Sequence, residues 1–79
     1  MRLDKFLKLS RIIKRRTVAN EACQAGRIQV NGKVAKPSAN VKAGDIIEIE
    51  FGNKVVKAEV IATPEIVKKE DAEKMFRYL

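Results

Sequence analysis

The segment Ile46-Ile-Glu-Ile-Glu-Phe51, Gly52-Asn53, Lys54-Val-Val-Lys-Ala-Glu-Val-Ile61 leaves this chain little choice of fold. Side chains on a strand alternate between its faces, and a two-residue loop fixes the register of a hairpin. With Gly52-Asn53 as that loop, Ile49 stands opposite Val56, Ile47 opposite Ala58 and Glu48 opposite Lys57. The apolar pairs share one face and the ion pair takes the other, and a slip by one residue would exchange them. A hairpin with one apolar face needs a cover, which the rest of the chain must supply.

The obvious supply is the segment Met1–Arg16, where Leu3, Phe6 and Leu7 gather into a core-facing seam if the segment is helical. Cations fall at every third position there, at Arg2, Lys5, Lys8, Arg11 and Lys14, and the segment ends in Lys14-Arg15-Arg16. Neighbours three apart on a helix are offset by about 60°, so these cations form a slowly winding stripe beside the seam. Thr17 to Ala25 repeats small apolar residues at helical spacing, with Thr17 as the expected N-cap and Gly26 as the left-handed residue after the helix. Two short helices joined through Lys14-Arg15-Arg16 would place that triplet near the positive end of the second.

Arg27-Ile-Gln-Val-Asn-Gly-Lys-Val34 alternates and turns at Asn31-Gly32, a strong hairpin signal because both central residues need positive φ. Arg27 and Lys33 flank that hairpin and extend the basic surface. Lys36–Asn40 reads as a loop and Lys42–Asp45 as a turn. Thr63-Pro64 breaks the sheet, and Lys68–Leu79 brings Ala72, Met75, Phe76 and Leu79 to one face of a short helix. The predicted class is α+β: two N-terminal helices packed on a small antiparallel sheet, with a short C-terminal helix.

Charge divides the chain. Residues 1–33 carry nine Lys or Arg against two acids, Asp4 and Glu21, whereas residues 34–79 carry eight of each sign, so the whole net charge of +7 lies in the first part. A solvating surface interleaves its signs, as the second part does; a one-signed face is the electrostatic footprint of a polyanion binder. The chain has no His and one Cys, Cys23, which excludes an internal disulfide and any zinc-ligand spacing and leaves Cys23 as a small core residue. No candidate triad, paired catalytic carboxylates or Gly-rich phosphate loop is present, so a non-enzyme is expected, with no cofactor. The four aromatic residues, Phe6, Phe51, Phe76 and Tyr78, are too scattered to read as a base-stacking platform. No apolar run has signal-peptide or transmembrane character, so a cytoplasmic setting is expected.

Five separated segments match a known pattern in order: Arg2-Leu3-Asp4-Lys5-Phe6-Leu7, Arg15-Arg16-Thr17, Gly26–Lys33, Lys36-Pro37-Ser38 and Gly44-Asp45. Over about residues 1–51 the chain resembles the S-four RNA-binding domain, named after small-subunit ribosomal protein four. The resemblance implies an alpha-L RNA-binding motif, in which two helices pack on a strongly bent antiparallel sheet, with residues 54–79 completing one domain of 79 residues. It implies an RNA surface on the two helices and the adjoining hairpin, here Arg2, Lys5, Lys8, Arg11, Lys14, Arg15, Arg16, Arg27 and Lys33. Asp4 is expected to orient a neighbouring Arg or to cap the first helix.

Among such modules the chain is similar to the stand-alone bacterial group that contains the fifteen-kilodalton heat-shock protein and RqcP, and its length is closer to the RqcP type. That resemblance implies a monomeric factor of ribosome-associated quality control. Its partners would be large-subunit ribosomal RNA, P-site peptidyl-tRNA and an RqcH-type factor that adds alanine to stalled chains. The alternatives are a heat-shock-type factor recycling large subunits that carry nascent chain-tRNA, and a peripheral membrane protein using a basic amphipathic helix. The second conflicts with the need for Leu3, Phe6 and Leu7 to cover the sheet.

Overall fold

A computed structural model describes residues 1–79. Helices α1 (Leu3–Leu9) and α2 (Arg16–Gln24) precede strands β1 (Ile28–Val30), β2 (Lys33–Val34), β3 (Ile46–Phe51) and β4 (Lys54–Val60). A 3-10 helix (Lys69–Met75) and strand β5 (Phe76–Tyr78) end the chain. The strands form one antiparallel sheet in the order β2-β1-β3-β4-β5.

The hairpin register expected from the alternation is the one observed: Ile49 pairs with Val56, Ile47 with Ala58 and Glu48 with Lys57. Glu48 and Lys57 form their ion pair at 3.4 Å on the open face. β1 adds Ile28 opposite Ile49 and Val30 opposite Ile47, which widens the apolar face. Leu3, Phe6 and Leu7 of α1 are fully buried and join Ala19, Cys23, Ile28, Ile47, Ile49 and Val60 in one core. The apolar side of α1 is therefore taken up by the sheet, and no helix is long and apolar enough to cross a membrane.

Asn31 and Gly32 take φ of 52° and 84°, as the tight turn demands. Asn31 also reaches across to β3: its amide group donates to Asp45 Oδ1 at 3.1 Å and its Oδ1 accepts from the Ile46 amide at 2.9 Å. Asp45 Oδ2 accepts from the Lys42 amide, which closes the expected turn and ties both hairpins together. Gly26 follows α2 with φ of 75°, as expected of the residue after a helix.

Three expectations are corrected. The first helix stops at Leu9 and does not continue through the basic stripe: the Ser10 hydroxyl donates to the Leu7 carbonyl and Arg11 turns left-handed at φ 64°. This ending buries Ser10 and Ile13 and leaves Arg11 and Lys14 on a linker. The N-cap of α2 is Arg15, not Thr17, and no side chain caps it. The tail is helical only to Met75. Phe76-Arg77-Tyr78 instead pairs with the free edge of β4, with Phe76 opposite Val60 and Tyr78 opposite Ala58, and Arg77 holds Glu59 at 2.8 Å. Ala72 and Met75 are buried as expected, but Leu79 is not.

Candidate nucleic-acid interface

The first two residues are fixed by the loop that follows β2. The Met1 amino group donates to Asn40 Oδ1 at 2.7 Å, and the Val41 amide donates to the Met1 carbonyl at 2.8 Å. The first amides of a helix have no partner within it. In α1 they find them in the same loop: the Leu3 amide donates to the Ala39 carbonyl and the Asp4 amide to the Pro37 carbonyl. Asp4 is therefore held in the first turn, where its carboxylate takes the next free amide, that of Lys5, and has further acceptor capacity for other donors.

Asp4 is 2 % exposed, and its carboxylate collects donors from both helices. Arg2 Nε and Nη2 donate to its two oxygens at 3.2 and 3.3 Å, a two-pronged grip. The Lys5 amide donates at 2.8 Å, Asn20 Nδ2 at 3.3 Å, and the Arg16 guanidinium stands 3.5 Å away. Gln24 donates to Asn20 Oδ1 at 2.6 Å, so Arg16, Asn20 and Gln24 form a ladder one turn apart on α2. Burial alone would push the Asp4 carboxyl up. The hydrogen bonds from Arg2, Asn20 and the Lys5 amide, with the Arg16 charge, outweigh it and hold the group below its ordinary range.

Arg2 and Arg16 keep about half of their side-chain surface exposed while Asp4 orients them, so each has a side turned to solvent. Of the other expected site residues, Lys8, Arg11, Lys14, Arg15, Arg27 and Lys33 are exposed and make no ion pair. Lys5 differs: it is half-buried and its ammonium is held by Glu65 at 3.0 Å. The structure gathers Arg2 and Arg16 around Asp4, and separates Arg11 and Lys14 into a groove against the tail. Arg27 lines a third recess with Ile13, Val18 and Phe51, and Lys33 stands apart on the edge strand β2.

Asn20, Gln24 and Lys36 lie outside the expected RNA-contacting set, although Lys36 belongs to one of the matching segments. Lys36 shares a groove beside Arg2 with Asn20, Gln24 and Ser38. The four-residue spacing Arg16, Asn20, Gln24 was the available signal for the polar face of α2. An array of exposed guanidinium and ammonium groups, two of them aimed by one buried acid, can grip phosphates in a fixed geometry.

The chain is similar to known proteins in both sequence and fold. The family model of the S4 domain matches residues 1–47. A Listeria innocua protein named RQC P-site tRNA stabilizing factor is 56% identical over all of this chain and 86% of its own length. A Bacillus subtilis protein of the same name is 51% identical over all of this chain and 92% of its own. Among solved structures, the trimeric Heat Shock Protein 15 of Vibrio cholerae superposes with a TM-score of 0.91 at 28% identity, covering all of this chain and 81% of that one. With the helices, sheet and motifs all in agreement, the chain belongs to the S4 domain family.

Proposed function

We propose that this chain is a non-catalytic RNA-binding factor of bacterial ribosome-associated quality control. It binds large ribosomal subunits obstructed by a P-site peptidyl-tRNA, contacts ribosomal RNA and the tRNA, and holds the tRNA in place. This supports alanine tailing of the stalled chain by an RqcH-type factor, in the cytoplasm and on the ribosome. Full-length similarity to proteins named RQC P-site tRNA stabilizing factor supports the address. The observation that carries the RNA part is the pairing of Arg2 and Arg16 on the buried Asp4, which presents two oriented guanidinium groups from the part of the chain that carries the net charge.

Co-sedimentation with purified large subunits carrying peptidyl-tRNA tests the reading. Raising salt from about 50 to about 200 mM should weaken binding roughly 10³-fold, because several phosphates are neutralised. Arg16→Ala and Arg2→Ala should each cost about tenfold or more, while Lys42→Ala, on the loop before β3, should cost little. Equal losses for all three variants would refute the face. The likeness to Heat Shock Protein 15 favours a second reading, in which the protein recycles obstructed subunits without tailing. Alanine tails that persist after deletion of the gene, on subunits that accumulate, would select it.

A further inference from the structure

The groove between the α1–α2 linker and the tail shares Arg11 and Lys14 with the RNA surface, but its other walls have no part in it. Arg11 and Lys14 line it from the linker, Lys69, Glu70 and Glu73 from the 3-10 helix, and Phe76, Arg77 and Tyr78 from β5. Alternate residues of a strand share a face, so Phe76 and Tyr78 lie on the same side as their buried partners Val60 and Ala58, the side the helices cover. Their rings meet edge to face, with centroids 4.9 Å apart and planes at 78°. Phe76 is half-buried and Tyr78 is 60% exposed, so the inner ring steadies an outer ring that still has a free surface.

Most charges around those rings are unsatisfied. Arg77 is held by Glu59, but Arg11, Lys14, Lys69, Glu70 and Glu73 form no ion pair within the chain. A bare phosphate would use the cations and leave the two acids and the rings without a partner, and an apolar ligand would desolvate unpaired charges of both signs. One chemical class fits every wall: a flat aromatic ring that carries hydrogen-bond donors at one end and a phosphate at the other.

We propose that this groove holds one unpaired RNA nucleotide, with its base stacked on Tyr78 and its phosphate against Arg11 and Lys14. Glu70 and Glu73 accept hydrogen bonds from the amino and imino groups of the base. The inference rests on the RNA-binding reading and deepens it, since Arg11 and Lys14 belong to both surfaces. Stacking tolerates any base. Ionised carboxylates accept but do not donate, so they favour guanine, with adjacent N–H donors, over uracil, whose edge is mostly carbonyl.

The test uses the full chain and three RNA stem-loops that differ at one bulged position: guanosine, uridine or an abasic nucleotide. Tyr78 is the only tyrosine and the chain has no tryptophan, so its emission reports on this groove alone. The bulged guanosine should quench Tyr78 and bind about tenfold more tightly than the abasic RNA, a typical stacking contribution, with uridine between them. Tyr78→Ala should abolish that difference, whereas Tyr78→Phe should keep it. If the wild type binds all three RNAs alike, the groove inference falls while the RNA reading stands; if it binds none of them at low salt, both fall. Equal affinity for guanosine and uridine overturns the role given to Glu70 and Glu73.

Discussion

Asp4 on the first helix stands 3.5 Å from Arg16 on the second and grips Arg2 with both oxygens, so one buried acid aims two exposed cations. Counting charge and reading geometry give opposite expectations for its removal. Asp4→Asn raises the net charge above +7, which by charge alone should tighten binding to any RNA. It also turns an acceptor-only group into one with an N–H₂ that confronts Arg2. We expect weaker binding to obstructed large subunits and a loss of about 1–3 kcal/mol of stability in urea melts. Tighter binding by this variant would show that Asp4 does not position the two arginines.

The same carboxylate sets an acid limit. Its folded pKa lies below the ordinary value, so the stabilisation is complete above the unfolded carboxylate range, about pH 4, and disappears as pH falls through the folded pKa. Glu65, held by Lys5, shifts the same way but is exposed, so it adds little. Urea midpoints measured from about pH 6 down to about pH 2 should fall steeply for the wild type and more gently for Asp4→Asn. Parallel curves for the two proteins would count against the buried carboxylate as the titrating group.

Cys23 sets the alkaline limit. Burial, helped by the Asp4 charge, pushes its thiol up to about 11. The unfolded thiol ionises near about pH 8.5, so its contribution is complete below that value and is lost as pH rises toward the folded pKa. Wild-type stability should decline across this window, and Cys23→Ala should remove that part of the slope. At neutral pH the thiol, 3% exposed, should react with alkylating reagents only as fast as the protein opens.

Arg11 occupies a backbone position suited to glycine. Its φ of 64° costs a residue with a Cβ about 1–2 kcal/mol, part of which glycine returns through its greater freedom when unfolded. Arg11→Gly should therefore raise stability by about 0.5–1 kcal/mol. It should also weaken binding to large subunits at low salt, because an unpaired cation is gone. A thermal melt beside a co-sedimentation series reads both; a variant that is less stable would mean that the Arg11 side chain holds the turn.

The sheet was legible because strand periodicity is a short-range property. Ile47, Ile49, Val56 and Ala58 alternate with charged neighbours, and Gly52-Asn53 and Asn31-Gly32 allow only tight turns, so the register followed from local chemistry. The seam of Leu3, Phe6 and Leu7 was legible for the same reason. The tail was not. Ala72 and Met75 fit a helix, and nothing local says that the pattern ends there.

What the sequence determined, then, is the placement of charge on residues 1–33, the hairpin register and the apolar cover of the sheet. Only the tertiary structure decided that Phe76 and Tyr78 would share a face, because the unpaired edge of β4 offers backbone partners that a helix would leave unused. It alone decided that Arg2 and Arg16, far apart in the chain, would meet on Asp4. That meeting depends on the packing of α1 against α2, which buries the acid and makes its two arginines the least costly way to keep it charged.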